Sequence, residues 1–215
     1  MKRIIFLFVG IVALVGTNSA QTISLTGFGG YTFQDKVSFA NAYGYIKESG
    51  PWGASLEAIN RAGRGIELLF QHQMTHGPLY DYNTNIALNG SKNDLNISYI
   101  MLNGVGYLKN NPMVWPYAGF GMGAAIISAN GKDILNDSYD RSETKFAWDI
   151  KAGLKIKTHS VVGIKLQAQL FSIVQAAGGG FYAGTGGSGG YVSSFSTVYQ
   201  FGFTGGLSFD FEKTK

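Results

Sequence analysis

Cysteine is absent from the 215-residue chain, which excludes disulfides, thiol catalysis, thiolate metal sites and a lipid anchor on Cys. Charge is scarce as well. Asp, Glu, Lys and Arg make up 14% of the residues, against about 25% in soluble domains. Proline occurs four times, whereas there are 31 Gly, 12 Tyr and 15 Phe. That composition argues against a helical bundle, and its aromatic content argues against disorder. Beyond the first 20 residues no apolar run approaches the roughly 20 residues of a membrane-spanning helix, so any membrane crossing must be made by strands. The net charge is +4, or +2 (15 basic, 13 acidic) without Lys2 and Arg3. Nothing in that balance supports nucleic-acid binding.

Residues 1–20 have the layout of a secretory signal peptide. Lys2 and Arg3 precede an apolar run over 4–16, followed by Thr17, Asn18, Ser19 and Ala20. Cleavage is expected after Ala20, leaving one domain over 21–215. A run of about 13 residues is too short to span a bilayer as a helix.

The rest alternates with a period of two. Tyr199, Phe201, Phe203, Leu207, Phe209 and Phe211 share one face, against Gln200, Gly202, Thr204, Gly206, Ser208 and Asp210. Val162, Ile164, Leu166, Ala168 and Leu170 oppose Gly163, Lys165, Gln167 and Gln169, and Phe146, Trp148, Ile150, Ala152, Leu154 and Ile156 oppose Lys145, Asp149, Lys151, Lys155 and Lys157. No charge falls on the three apolar faces. Five further strands follow at 23–34, 51–60, 65–75, 95–108 and 114–127, where Gly119, Gly121 and Gly123 take the polar face. The phase of 95–108 stays open, because Ile97, Tyr99 and Met101 compete with Ile100 and Leu102; a bulge is one way to reconcile them.

Alternation alone also suits a soluble sandwich. Soluble strands average about 5 to 6 residues, however, and these persist for about 9 to 13, the length of a tilted membrane-crossing strand. The expected fold is therefore all-β: a single eight-stranded antiparallel transmembrane up-and-down β-barrel, greasy outside and polar inside. Connections alternate strictly between long (35–50, 76–94, 128–142, 176–196) and short (61–64, 109–113, 157–160). Bacterial outer-membrane barrels have short periplasmic turns and long outer loops, which places both termini in the periplasm.

Over 21–211 the chain resembles the small OmpA/OmpX-type outer-membrane β-barrel family. The resemblance is carried by Phe28-Gly29-Gly30-Tyr31-Thr32-Phe33, by Pro116-Tyr117-Ala118-Gly119-Phe120-Gly121-Met122-Gly123, and by the closing strand that ends Leu207-Ser208-Phe209-Asp210-Phe211. It implies a protein of the Gram-negative outer membrane, in contact with outer-membrane lipid. It also implies that Phe209 and Phe211 serve as a terminal signal to the barrel assembly machinery, although Glu212 to Lys215 follow them. A structural or loop-mediated interaction role is expected, the long outer loops being where an extracellular ligand would bind if there is one; the alternative is a porin-like channel for ions or small solutes.

The inward ionisable residues form the main candidate site. Glu57 and Glu67 lie near the first short turn and Lys155 and Lys165 near the last, on opposite sides of an eight-stranded ring. Asp149, Lys151 and Asp210 extend the set. Charges in so narrow a lumen must pair, since an isolated one costs several kcal/mol. Such pairs either plug the barrel or gate a path through it, and Gln167, Gln169 and Gln200 line the same face.

No cofactor, metal or enzymatic activity is expected. His72 faces outward near the upper rim, His76 opens an outer loop, and the one adjacent His-Ser pair, His159 and Ser160, sits in a periplasmic turn. Spacing i, i+4 spreads His72 and His76 along a strand instead of gathering them on a metal. Trp52, Trp115, Trp148, Tyr107 and Tyr199 are expected in interface girdles, with Tyr117 pointing inward. The 176–196 loop, rich in Gly and Ser with Phe181, Tyr182 and Tyr191, reads as a flexible contact surface or a solvated loop; it has no Lys and no following helix to make a phosphate loop.

Overall fold

The computed structural model describes residues 20–38, 42–81, 94–132, 138–158, 160–174, 178–184, 187–193 and 198–212. The expected leader up to Ser19, and His159, lie outside them. Among the described residues thirteen strands run in order: β1 (Ala20–Thr32), β2 (Asp35–Ser38), β3 (Ala42–Ile46), β4 (Trp52–Asn60), β5 (Arg64–His76), β6 (Leu79–Asp81), β7 (Asp94–Tyr107), β8 (Val114–Lys132), β9 (Ser138–Lys157), β10 (Val162–Val174), β11 (Gly178–Gly184), β12 (Gly187–Ser193) and β13 (Val198–Glu212).

Eight of them close an antiparallel barrel in the order β1-β13-β10-β9-β8-β7-β5-β4. Closure is made by β1, where Leu25 stands opposite Phe209 of β13 on one side and Leu56 of β4 on the other. The shortest barrel strand, β4, has 9 residues and the longest, β9, has 20, so each reaches the roughly 9 to 11 residues a tilted membrane crossing needs.

Side chains follow the pleat with the polarity of a soluble protein reversed. Leu25, Leu56, Phe120, Leu166, Phe203 and Leu207 are exposed on the outer wall, whereas Ser24, Glu57, Gln169 and Ser208 are buried inside. A continuous apolar exterior of this extent is a surface for lipid. Near one rim it carries aromatic pairs. Trp52 packs on Phe70 with ring centroids 6.0 Å apart, and Trp148 on Tyr199 at 6.3 Å.

One end of the barrel, the turn end, carries the short connections and β1's first residue; at the first turn Gly63 adopts φ +79°, a left-handed conformation that suits glycine. The other, the loop end, is more structured than the alternation suggests. The β8–β9 hairpin pairs as far as Lys132 opposite Ser138, so most of the loop expected over 128–142 is strand. The apolar alternation reports lipid contact, and backbone pairing continues past it through polar residues. Residues 178–184 and 187–193, read as flexible loop, pair as the β11–β12 hairpin, and β2, β3 and β6 form a three-stranded sheet. Partial burial pushes the Asp35 carboxyl of β2 above its ordinary range; its Oδ2 accepts the backbone N–H of Tyr199 at 2.9 Å.

The open phase of β7 is settled. Ile97, Tyr99, Met101, Asn103, Val105 and Tyr107 point inward and Ile100 and Leu102 outward, in unbroken register with β5 and β8 and without a bulge.

Candidate functional site

The barrel interior is filled in four layers. Toward the loop end Leu69, Ile97, Tyr99, Met101, Ala147, Phe171, Ile173 and Val198 form an apolar cluster. Tyr99 and Phe171 stack at 4.3 Å, and Ile46 of β3 joins the cluster from the loop sheet. An apolar plug inside a barrel that is also apolar outside explains why the 95–108 alternation is ambiguous: both faces of that half-strand are greasy.

Below it lie glutamines. Tyr99 OH and Gln73 Nε2 both donate to Gln200 Oε1 at 2.6 Å. Gln169 Nε2 donates to Gln71 Oε1 at 2.5 Å, Gln167 Nε2 to Gln169 Oε1 at 2.7 Å, and Tyr117 OH to Gln167 Oε1 at 2.7 Å. The side chains read from sequence as a polar lining therefore bond one another across the lumen. Hydrogen-bonded amides in a low-dielectric interior are costly to separate.

The charged layer lies toward the turn end. Lys165 Nζ is 2.9 Å from Glu67 Oε1 and 3.3 Å from Glu57 Oε2. Glu67 Oε2 accepts from Lys151 Nζ and, at 2.9 Å, from Asn103 Nδ2. Glu57 Oε2 also accepts from Tyr107 OH at 2.7 Å. Glu57, Glu67, Lys151 and Lys165 thus meet in one buried cluster. Asp149 stands at its edge, 3.6 Å from Lys151 Nζ, with no hydrogen bond to either oxygen. Lys155 pairs with neither glutamate. Its Nζ donates to Asp210 Oδ1 at 2.7 Å and to Ser24 Oγ at 2.9 Å, so the expected Glu–Lys155 pairing is corrected: along the tilted strands Lys155 lies nearer the turn end than the glutamates.

Close packing reaches the backbone. A Cβ added at Gly121 would fall 1.5 Å from Asn103 Oδ1, so glycine makes room for the Asn103–Glu67 bond. Between Ser55, Glu67, Lys165 and Thr204 a cavity of about 10 Å³ remains, space for about one water molecule.

Two girdle expectations fail. Tyr107 and Trp115 point inward with Tyr117, Ile59 and Val105, forming an apolar floor at the turn end. There the lumen needs large side chains to close it, and a ring with a polar tip serves that purpose, as Tyr107 OH on Glu57 illustrates. Trp52, Trp148 and Tyr199 do lie on the outer wall. Asn103, Tyr99 and Gln71 are network members that the sequence reading passed over; the odd-numbered phase of β7 would have identified the first two.

On the outer wall His72 Nδ1 and Ser98 Oγ, paired across β5 and β7, are 2.9 Å apart. Both flanking strands of Ser98 use their backbone N–H groups in the barrel ladder, leaving no pair free to hold an oxyanion. His76 pairs with Asp94 at 3.1 Å at the loop end. Among the described residues no three His, Cys, Asp or Glu converge as metal ligands.

No protein-family model and no curated protein sequence matches the chain. Solved structures do. Neisserial surface protein A superposes with a TM-score of 0.56 at 11% identity, covering 91% of this chain and 100% of its own. This is the fold of the small OmpA/OmpX-type outer-membrane β-barrels. OprG from Pseudomonas aeruginosa matches at a TM-score of 0.56 and 11% identity over 92% of this barrel and 99% of its own chain. Ail from Yersinia pestis matches at 0.53 and 12% identity over 90% and 99%. Each match extends over at least 90% of this chain and 99% of the other.

Proposed function

We propose that the chain is an integral protein of the Gram-negative outer membrane, with its termini and short turns in the periplasm, and that it acts through its loop end as a structural or binding element and not through its lumen. The observation that carries this reading is the filled interior, where an apolar plug, bonded glutamines and paired charges succeed one another along the barrel. The exposed closing residues Phe209 and Phe211 are assigned to recognition by the assembly machinery.

The loop end has the chemistry of a contact surface. Residues 33–50, 77–93, 128–142 and 175–197 contain eleven Phe and Tyr, with six acidic against five basic residues. Tyr43 and Tyr45 meet edge to face at 5.9 Å, and Lys36 Nζ lies 4.6 Å from the Tyr43 ring centre. Ail has been crystallised with the heparin analogue sucrose octasulfate; the nearly balanced charge here favours a partner held by stacking and hydrogen bonds, such as a neutral glycan or a protein surface, over a polyanion.

The test is an array of neutral glycans, sulfated glycans and extracellular-matrix proteins probed with the barrel in lipid nanodiscs. Binding that is lost when Tyr43 and Tyr45 become Ala and 178–193 is replaced by a short turn, with strand content unchanged, supports the reading. Binding to no member, or binding unaffected by those changes, overturns it.

A further inference from the structure

The turn end carries a cationic rim that neither the lumen network nor the loop surface uses. Arg61 is exposed in the first turn and Arg64 at the start of β5, Lys109 lies in the second turn, and Lys157 ends β9. Lys109 Nζ and Lys157 Nζ sit over Trp115, 4.6 and 4.5 Å from its ring centre. The first turn rests on the same group: Lys109 Nζ donates to Asn60 O at 3.0 Å, and a Cβ at Gly63 would lie 3.6 Å from Lys109 Cε. Against these four cations, Glu212 is the one carboxylate paired at this rim among the described residues, 2.7 Å from Lys157. Among the described residues Arg61, Arg64 and Lys109 have none within ion-pair distance. Burial, and then the charge of Lys157, push Lys109 below the ordinary lysine range, a state an added anion relieves.

A second feature specifies the anion. Leu108, Met113 and Val161, in the same turns, are 62, 49 and 51% exposed. Cations interleaved with exposed apolar side chains, at the edge of a lipid-facing wall, match a molecule with an anionic head and a hydrocarbon tail more closely than a soluble ion. We propose that this rim binds an anionic phospholipid of the leaflet at the turn end, its phosphate held by Lys109 and the Arg61–Arg64 turn and its chains along Leu108 and Met113. The site is independent of the loop-end function and of which way the barrel faces.

The test uses the full barrel in nanodiscs of equimolar phosphatidylglycerol and phosphatidylcholine, with the lipids retained on the released protein counted by native mass spectrometry. Phosphatidylglycerol is expected to be retained in preference, with the preference falling about fivefold for each cation neutralised and disappearing in the R61Q/R64Q/K109Q variant. Equal retention of the two lipids by the unaltered protein, or undiminished preference in the variant, overturns the proposal. If the triple variant does not fold, K109Q alone and the unaltered protein at high salt provide the same readout. Free sn-glycerol 3-phosphate, added at the lipid concentration, is expected not to displace phosphatidylglycerol; displacement would show a soluble-phosphate site and overturn the lipid assignment.

Discussion

Tyr99 and Phe171 stack across the lumen with ring centroids 4.3 Å apart and planes 20° from parallel, and the Tyr99 hydroxyl donates to Gln200 on a third strand at 2.6 Å. The stack ties β7 to β10 across the barrel instead of along the wall, so it acts as a strut. Phe171→Ala is expected to lower unfolding stability by about 3 to 5 kcal/mol, measured by urea titration in detergent under reversible conditions. A loss within about 0.5 kcal/mol, the range of ordinary surface substitutions, would show that the stack bears no load.

The charged layer contains four carboxylates, Glu57, Glu67, Asp149 and Asp210, with three lysines, 151, 155 and 165. Glu67 contacts two of those lysines, whereas Asp149 accepts no hydrogen bond. Glu67→Gln is therefore expected to cost about 3 to 5 kcal/mol by stranding buried ammonium groups. Asp149→Asn is expected to be neutral or stabilising. Equal losses for the two would contradict the assigned partners.

Lys155 joins β9 to both sides of the closure, through Asp210 of β13 and Ser24 of β1. A double-mutant cycle of Lys155→Met with Asp210→Asn is expected to give a coupling of about 1 to 3 kcal/mol. The same cycle between Lys155 and Glu67 is expected to be additive within about 0.5 kcal/mol. Reversal of the two results would restore the Glu–Lys155 pairing expected from sequence.

At the loop end Asp35 has its carboxyl raised chiefly by burial, against bonds from the Tyr199 and Lys36 backbone that lower it. The folded protein therefore holds this proton more tightly than the unfolded chain. Its contribution to stability is fullest below the ordinary carboxylate range and declines as pH rises through the raised one. Asp35→Asn keeps an acceptor for Tyr199 N–H, so it is expected to remove this decline without lowering stability at neutral pH. Thermal unfolding across the acid range reads both; a pH profile unchanged by the substitution would contradict the assignment.

The fold was legible because a lipid-facing strand must keep one face apolar over its whole crossing, as β13 does from Tyr199 to Phe211. Glu57, Glu67, Lys151 and Lys165 were legible for the same reason, since charge is excluded from the outer face. Partner choice was not, because it depends on strand tilt and stagger, and these carry Lys155 to Asp210. The plug was hidden by its own chemistry: Ile97, Tyr99 and Met101 look no different from residues facing lipid. Tyr107 and Trp115 were misassigned because an amphipathic ring suits an interface and a closed lumen equally well. His72 and Ser98, 26 positions apart, meet only through the pairing of β5 with β7.

We propose a sealed interior, with function residing at the loop end. Planar-bilayer recording of the purified, monodisperse protein tests it most directly. Insertion without unitary conductance steps is expected. Reproducible steps of a single size from the unaltered protein would contradict it and make the glutamine and ion-pair layers the walls of a channel.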